Sequence, residues 1–163
     1  KMAPTSSAIA LFAAAALLTS ASAWVPSISA SRSLSLASAK DSICDSPGDP
    51  SMILNVSVDL GDKKVEVMKG ISAAIAATTG KPESYVSVCV QDNASIIFGG
   101  EETNCALGCM YSIGAINQEN NGKIQKAVSD LLAPFGVPDD KMYINYFDVA
   151  RENCGWSSRT FAG

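Results

Sequence analysis

Histidine is absent from all 163 residues. That removes His-dependent triads, His-ligated metal sites and the usual near-neutral side-chain base, so any acid–base chemistry rests on another group. Cations are scarce too: 12 Lys and Arg against 16 Asp and Glu leave a net charge of -4. Coating nucleic acid needs clustered Lys and Arg to neutralise phosphates, and the sequence supplies no such cluster. Five cysteines, an odd number without zinc-ligand spacing, argue against a disulfide framework or a thiolate metal site. The apolar run 8–18 (AIALFAAAALL) has 11 residues, about half of the ~20 that a spanning helix needs.

What is present falls into two parts. Residues 1–40 contain no Asp or Glu, only Lys1, Arg32 and Lys40. The short apolar run followed by Ala21-Ser22-Ala23 reads as a cleavable signal peptide over 1–23, cut after Ala23, leaving no membrane span. The exposed Trp24, then Pro26 and an acid-free, Ser-rich stretch, resembles the bipartite presequences of algae whose plastids lie inside the endomembrane system. The expected destination is therefore the plastid or, by simple secretion, the cell exterior. Residues 24–49 are then a transit-like or disordered linker, ending in the Gly-, Pro-, Ser- and Asp-containing 41–49. Residues 50–163 hold 9 basic against 13 acidic side chains and read as one globular domain.

Within that domain the hydrophobic period changes repeatedly. Ile53, Leu54, Val56 and Val58 suggest a strand, and Val86, Val88 and Val90 alternate as another. Between them Val65, Met68, Ile71, Ala74 and Ile75 form a helical stripe stopped by Gly80-Lys81-Pro82. The pattern then recurs: a strand over 107–113, a stripe of Ile124, Ala127, Val128, Leu131, Leu132 and Phe135 stopped by Gly136-Val137-Pro138, and a strand over 142–148. The two stop signals lie 56 residues apart, each followed by an acidic residue. Two β-α-β copies imply a pseudo-symmetric α+β sandwich with both helices on one face of one mixed sheet. The opposite face needs cover, which an oligomer packing such faces together provides.

Taken in order, Thr79-Gly80-Lys81-Pro82, Tyr85, Phe98-Gly99-Gly100, Cys105-Ala106-Leu107, Ser112-Ile113-Gly114, Tyr143-Ile144-Asn145-Tyr146 with Asp148, and Gly155-Trp156 through Thr160-Phe161-Ala162 form a specific conjunction. Together they make residues 50–163 resemble the macrophage migration inhibitory factor and D-dopachrome tautomerase family. The resemblance implies a four-stranded tautomerase-like fold assembled as a homotrimer with active sites between subunits. It also implies cofactor-free keto–enol tautomerisation of small aromatic 2-oxo acids, of the phenylpyruvate tautomerase or L-dopachrome isomerase type. The family's base is the secondary amine of an N-terminal proline, which falls on Pro50 here. Lys81 falls on the cation that binds the substrate carboxylate and lowers the proline's pKa. Ser51, Ile113 with its backbone amide, Tyr143 and Asn145 from a neighbouring subunit, the aromatic wall Trp156 and Phe161, and Tyr85 at its rim are the implied substrate-binding residues.

Two features depart from that pattern. Pro50 follows Gly48-Asp49, and an acylated proline nitrogen is an amide without a basic lone pair, so the expected chemistry requires cleavage before Pro50. Cys105-Ala-Leu-Gly-Cys109 is one residue longer than the family's Cys-x-x-Cys. On a strand these thiols stand roughly 13 Å apart, so a bridge would need a bend or helical turn at Gly108; structural thiols are the expectation over a redox pair. Two classes of function follow: the tautomerase, and a non-catalytic secreted cytokine-like or organellar binding protein of the same fold with a receptor or protein partner. Asn55 and Asn93 begin glycosylation sequons, and only Asn93, beside a turn, suits an acceptor.

Overall fold

The computed structural model describes residues 49–163; the expected signal peptide over 1–23 and all but the last residue of the expected linker over 24–49 lie outside them. The domain begins with β1 (Pro50–Val56), whose side chains alternate between a buried and an open face. Proline is tolerated as the first residue of a strand because its missing N–H costs no ladder bond there. β1 runs parallel to β2 (Ser87–Gln91) and antiparallel to β3 (Ala106–Ser112), and β3 runs parallel to β4 (Met142–Asp148). The sheet order is β2-β1-β3-β4, the mixed arrangement expected of two β-α-β units set antiparallel.

Each parallel pair is bridged by a helix, α1 (Lys64–Thr79) or α2 (Gln118–Leu132). Asn117 caps α2 by accepting the N–H of Asn120 at 2.9 Å, whereas α1 enters from a 3-10 turn over Gly61–Lys63 with no side-chain cap. Both helical segments stop at glycines in the left-handed conformation, Gly80 (φ 71°) and, after a 3-10 extension, Gly136 (φ 78°). A residue without a Cβ adopts that conformation at little cost. The two stop signals read in the sequence are therefore one structural device used twice.

The helices face the sheet through Val67, Ile71, Ile75 and Thr79 on α1 and Ile124, Val128 and Leu132 on α2. The first stripe is shifted from the expected one. Val65, at the start of α1, is exposed and Met68 only partly buried, while the row that packs is the i, i+4 series ending in Thr79. Thr79 is tolerated there because its hydroxyl donates to the carbonyl of Ile75 at 2.8 Å. Burying each large aliphatic side chain contributes about 1.5–3 kcal/mol, and Met52, Leu54, Met110 and Ile144 meet the helical rows from the sheet. On the other face Ile53 (50% exposed), Leu107, Tyr143 and Phe147 stand open.

Past β4 a 3-10 turn leads into a small hairpin, β5 (Gly155–Trp156) and β6 (Arg159–Thr160), which the hydrophobic pattern does not announce. Its turn residues Ser157 and Ser158 both have positive φ (53° and 63°), the geometry that two-residue hairpins favour and that Asn-Gly usually signals. Serine carries no such signal.

Gly108 is a regular strand residue rather than a bend. A Cβ there would lie 2.6 Å from the carbonyl oxygen of Ile53 and 2.9 Å from Leu54 Cδ1. The glycine thus permits close approach of β3 to β1, and Cys105 and Cys109 stay unbridged at the two ends of an extended segment. Gly70 contrasts with it, since a Cβ there meets only the flexible end of Leu131. Gly108→Ala is expected to lower stability in chemical denaturation by about 1–3 kcal/mol. In Gly70→Ala the strain is offset by a helix-propensity gain of about 1 kcal/mol, leaving stability nearly unchanged. A neutral Gly108→Ala would remove the close-approach explanation.

Candidate active site

The left-handed turn at Gly80 directs the next residue back toward the sheet. In the first repeat that residue is Lys81, 4% exposed; its counterpart in the second repeat is Val137, 3% exposed. The fold itself thus supplies the comparison. An apolar side chain satisfies this position, and a buried ammonium costs several kcal/mol of desolvation unless it is well partnered. The Lys81 Nζ donates to the carbonyl oxygen of Ile113 at 2.5 Å. A cation near a helix C-terminus explains the charge type; burying it against the end of β3 is beyond what such capping requires.

Pro50 lies at the same end of the sheet, fully buried and paired with Ser112. The Ser112 hydroxyl is buried with no hydrogen-bond partner, which costs about 1–3 kcal/mol and marks a place not arranged for stability alone. The residue acylating Pro50 is tightly held. The carbonyl of Asp49 accepts the Ile113 N–H at 3.1 Å, and its carboxylate accepts the Ser51 hydroxyl at 3.1 Å and the Cys154 thiol at 3.6 Å. Both backbone polar groups of residue Ile113 are therefore engaged, its N–H by Asp49 and its carbonyl by Lys81. Burial, first, and then the Asp49 carboxylate push the Cys154 thiol above its ordinary range, while Lys81 pulls it down. A thiol held that way is protonated at neutral pH and a poor nucleophile.

Cys154 also leads to the aromatic residues. Its carbonyl accepts the Phe161 N–H at 3.0 Å, and Trp156 follows two positions on. Trp156 stacks on Phe161 with ring centroids 5.8 Å apart and meets Tyr85 edge-on at 6.2 Å. The three rings line a cavity of about 310 Å³. Of the expected site residues, one chain thus gathers Pro50, Ser51, Lys81 and Ile113 into one cluster and Tyr85, Trp156 and Phe161 into a neighbouring wall.

Tyr143 and Asn145 are not brought there. Both are exposed on the open sheet face, and the register pairs Asn145 through Cys109 with Ile53, and Tyr143 through Leu107 with Asn55. Tyr143, 63% exposed, packs its ring on Phe98 with centroids 5.0 Å apart. Within one chain Tyr143 lies toward the far end of the sheet from Pro50 and Asn145 at mid-strand. Among the described residues no group of three or more Cys, Asp or Glu side chains is placed to hold a metal ion.

The macrophage migration inhibitory factor family model matches residues 50–162. The chain is 33% identical over 114 residues to the macrophage migration inhibitory factor of Meriones unguiculatus, covering 69% of this chain and 99% of that protein. The chain belongs to the macrophage migration inhibitory factor family. Solved structures of the family's members from Toxoplasma gondii (28% identity, TM-score 0.64) and Prochlorococcus marinus (26% identity, TM-score 0.65) each superpose over 68% of this chain and 98% of their own. The matched region therefore corresponds to a whole folding unit of the family.

Sequence reasoning missed two members of this site, Asp49 and Cys154. Asp49 reads as linker because its contacts reach residues far away in the chain. Cys154 looks like a stray thiol unless its position two residues before the Trp156 motif is weighed. Asp49→Asn in the intact chain removes the negative charge facing the thiol and is expected to lower its pKa, speeding iodoacetamide alkylation of Cys154 at pH 8 by a few-fold relative to exposed Cys89. Peptide mass spectrometry reads the ratio; an unchanged ratio would show that burial alone holds the proton.

Proposed function

We propose that this protein is a cofactor-free keto–enol tautomerase for small aromatic 2-oxo acids, of the phenylpyruvate tautomerase and L-dopachrome isomerase type, whose base is the Pro50 amine once the Asp49–Pro50 bond is cut. Membership of the family supports a tautomerase-like or macrophage migration inhibitory factor-like function. The observation that carries the enzymatic reading is the buried Lys81 ammonium at the Ile113 carbonyl, where the second repeat has Val137.

A free α-amino group has an unperturbed pKa of about 7.7–8.0. Burial and a neighbouring cation both disfavour its protonated form, moving it toward the pH range where a general base works best. With Asp49 gone, the Ile113 N–H is released and joins Lys81 as an anchor for a substrate carboxylate. The Pro50 nitrogen then takes the proton from the carbon next to the carbonyl, leaving an enolate, and the proton is returned to the enolate oxygen to give the enol, so the substrate is isomerised without net gain or loss. Trp156, Phe161 and Tyr85 supply the apolar wall for the ring. On this reading the open sheet face is covered in a homotrimer, which brings Tyr143 and Asn145 to a neighbour's site.

The alternative of a secreted cytokine-like or organellar binding protein draws on Asp49, whose peptide bond leaves Pro50 non-basic and whose carbonyl fills the Ile113 amide in the intact chain. The presequence over 1–49 takes the chain into the secretory pathway, to the exterior or onward to a plastid.

Phenylpyruvate tautomerisation by a chain beginning at Pro50, set against one beginning at Trp24, separates the readings. Activity is expected only from the former, and Pro50→Gly should reduce it by about 10²–10⁴-fold. Lys81→Ala should lower kcat/KM by roughly 10- to 100-fold, mainly through KM, as loss of a charge-assisted bond to carboxylate predicts. Equal rates from the two starting points would refute the mechanism; no rate from either would favour the binding role. N-terminal sequencing of the mature protein checks whether Pro50 is its first residue.

A further inference from the structure

The cavity behind the aromatic wall holds a feature that the tautomerase reading does not use. Its lining includes Arg151 and Arg159 together with Tyr85, Trp156 and Phe161. These are the only two arginines in residues 50–163, a domain with 9 basic and 13 acidic side chains. In a domain with net negative charge, both arginines line one aromatic-walled cavity. Neither makes an ion pair among the described residues, although Glu152 is adjacent in sequence to Arg151. The remaining cations in this domain are lysines: four of them pair with carboxylates, and a fifth, Lys141, sits over the Phe98 ring, 5.1 Å from its centroid.

The local backbone places this pair. Arg159 stands directly across the β5–β6 hairpin from Trp156. Arg151 opens the 3-10 turn whose carbonyl accepts the Cys154 N–H at 3.5 Å. The hairpin turn is closed by two serines with positive φ, a strained choice that fixes Arg159 opposite the indole. Guanidiniums present a planar fork matched to carboxylate or phosphate, and they stack on aromatic faces, which an ammonium does not do as well. A volume of about 310 Å³ suits a single ring with a small substituent, at the lower end of ligand pockets. Cys154 links the two regions, with its thiol at Asp49 on the Pro50 side and its backbone bonded to Arg151 and Phe161 on the other.

We propose that Arg151 and Arg159 form a second anion-recognition site, which selects aromatic ligands carrying an acidic group on the ring end remote from the 2-oxo acid. This rests on the tautomerase reading for its reaction but not for its binding. One carboxylate goes to Lys81, the ring lies along Trp156 and Phe161, and the distal carboxylate or phosphate meets the two guanidiniums. The preferred substrates are then dianions such as ring-carboxylated arylpyruvates rather than phenylpyruvate itself.

Two measurements on the chain beginning at Pro50 test this. In calorimetry, 4-carboxyphenylacetate is expected to bind about tenfold more tightly than phenylacetate, and the Arg151→Gln/Arg159→Gln double variant should bring the ratio close to one. Both arginines are exposed, and an unchanged circular dichroism spectrum verifies that the variant is folded. In kinetics, kcat/KM for 4-carboxyphenylpyruvate should exceed that for phenylpyruvate by a similar factor, again lost in the double variant. A 4-phosphonomethyl analogue in both assays distinguishes phosphate-like from carboxylate recognition. Equal affinities of the two acetates in the unmodified chain, or a preference that survives the double substitution, would overturn the proposal. Absence of turnover with preserved binding preference would sink the tautomerase reading alone.

Discussion

The backbone of Ile113 joins the two halves of this molecule's chemistry. Its carbonyl accepts from the buried ammonium of Lys81 at the end of the first helix, and its N–H donates to the carbonyl of Asp49 at the head of the first strand. An ammonium removed from water needs such an acceptor, because the desolvation cost otherwise amounts to several kcal/mol. The end of β3, the end of α1 and the beginning of β1 are consequently held at one point. The twofold repeat shows that this is a departure from the fold's requirement, since Val137 occupies the matching turn in apolar packing.

This same junction makes the residue before Pro50 decisive. While Asp49 is attached, the proline nitrogen is an amide and the N–H of Ile113 is taken. Removing one peptide bond would change both at once, creating a base and freeing a donor. The Ser51 hydroxyl and the Cys154 thiol, which face the Asp49 carboxylate, would lose their acceptor in the same step. On the proposed reading, the absence of histidine throughout the sequence and the dependence on processing are therefore one fact. On that reading the base is an α-amine, and only cleavage supplies it.

Much of this architecture was legible from periodicity. Hydrophobic patterning located all four sheet strands; the β4 span agrees with its sequence reading residue for residue, and β3 lies one residue earlier than the expected 107–113. The paired Gly-x-Pro stops gave the repeat, because a left-handed glycine ends a helical segment for reasons internal to the backbone. The α1 stripe was harder to phase: Ala-rich sequence leaves several faces nearly equivalent, and the buried Thr79 does not announce that its hydroxyl is satisfied by Ile75. The terminal hairpin was invisible, its left-handed turn being made of serines. Asp49 and Cys154 meet at the site through a contact spanning 105 residues, which no local pattern encodes. Family resemblance named Lys81, but only the repeat comparison shows that its burial is not a structural necessity.

The open sheet face connects stability to function. Ile53, Leu107, Tyr143 and Phe147 expose apolar surface there, and Asn145 stands between Tyr143 and Phe147 on the same side of β4. A strand has a period of two, so a residue cannot leave that face without a shift in register that would also expose the buried Met142 and Ile144. The apolar residues that call for a partner and the polar residues assigned to a neighbour's pocket are thus locked together by the pleat. If association covers this face, the burial that stabilises the assembly also delivers Tyr143 and Asn145 outward to another chain. The monomer could not supply them to its own Pro50, because the pleat holds them on the open face while Pro50 is buried on the other. An assembly built on this face would complete the site by the same alternation that forms the core.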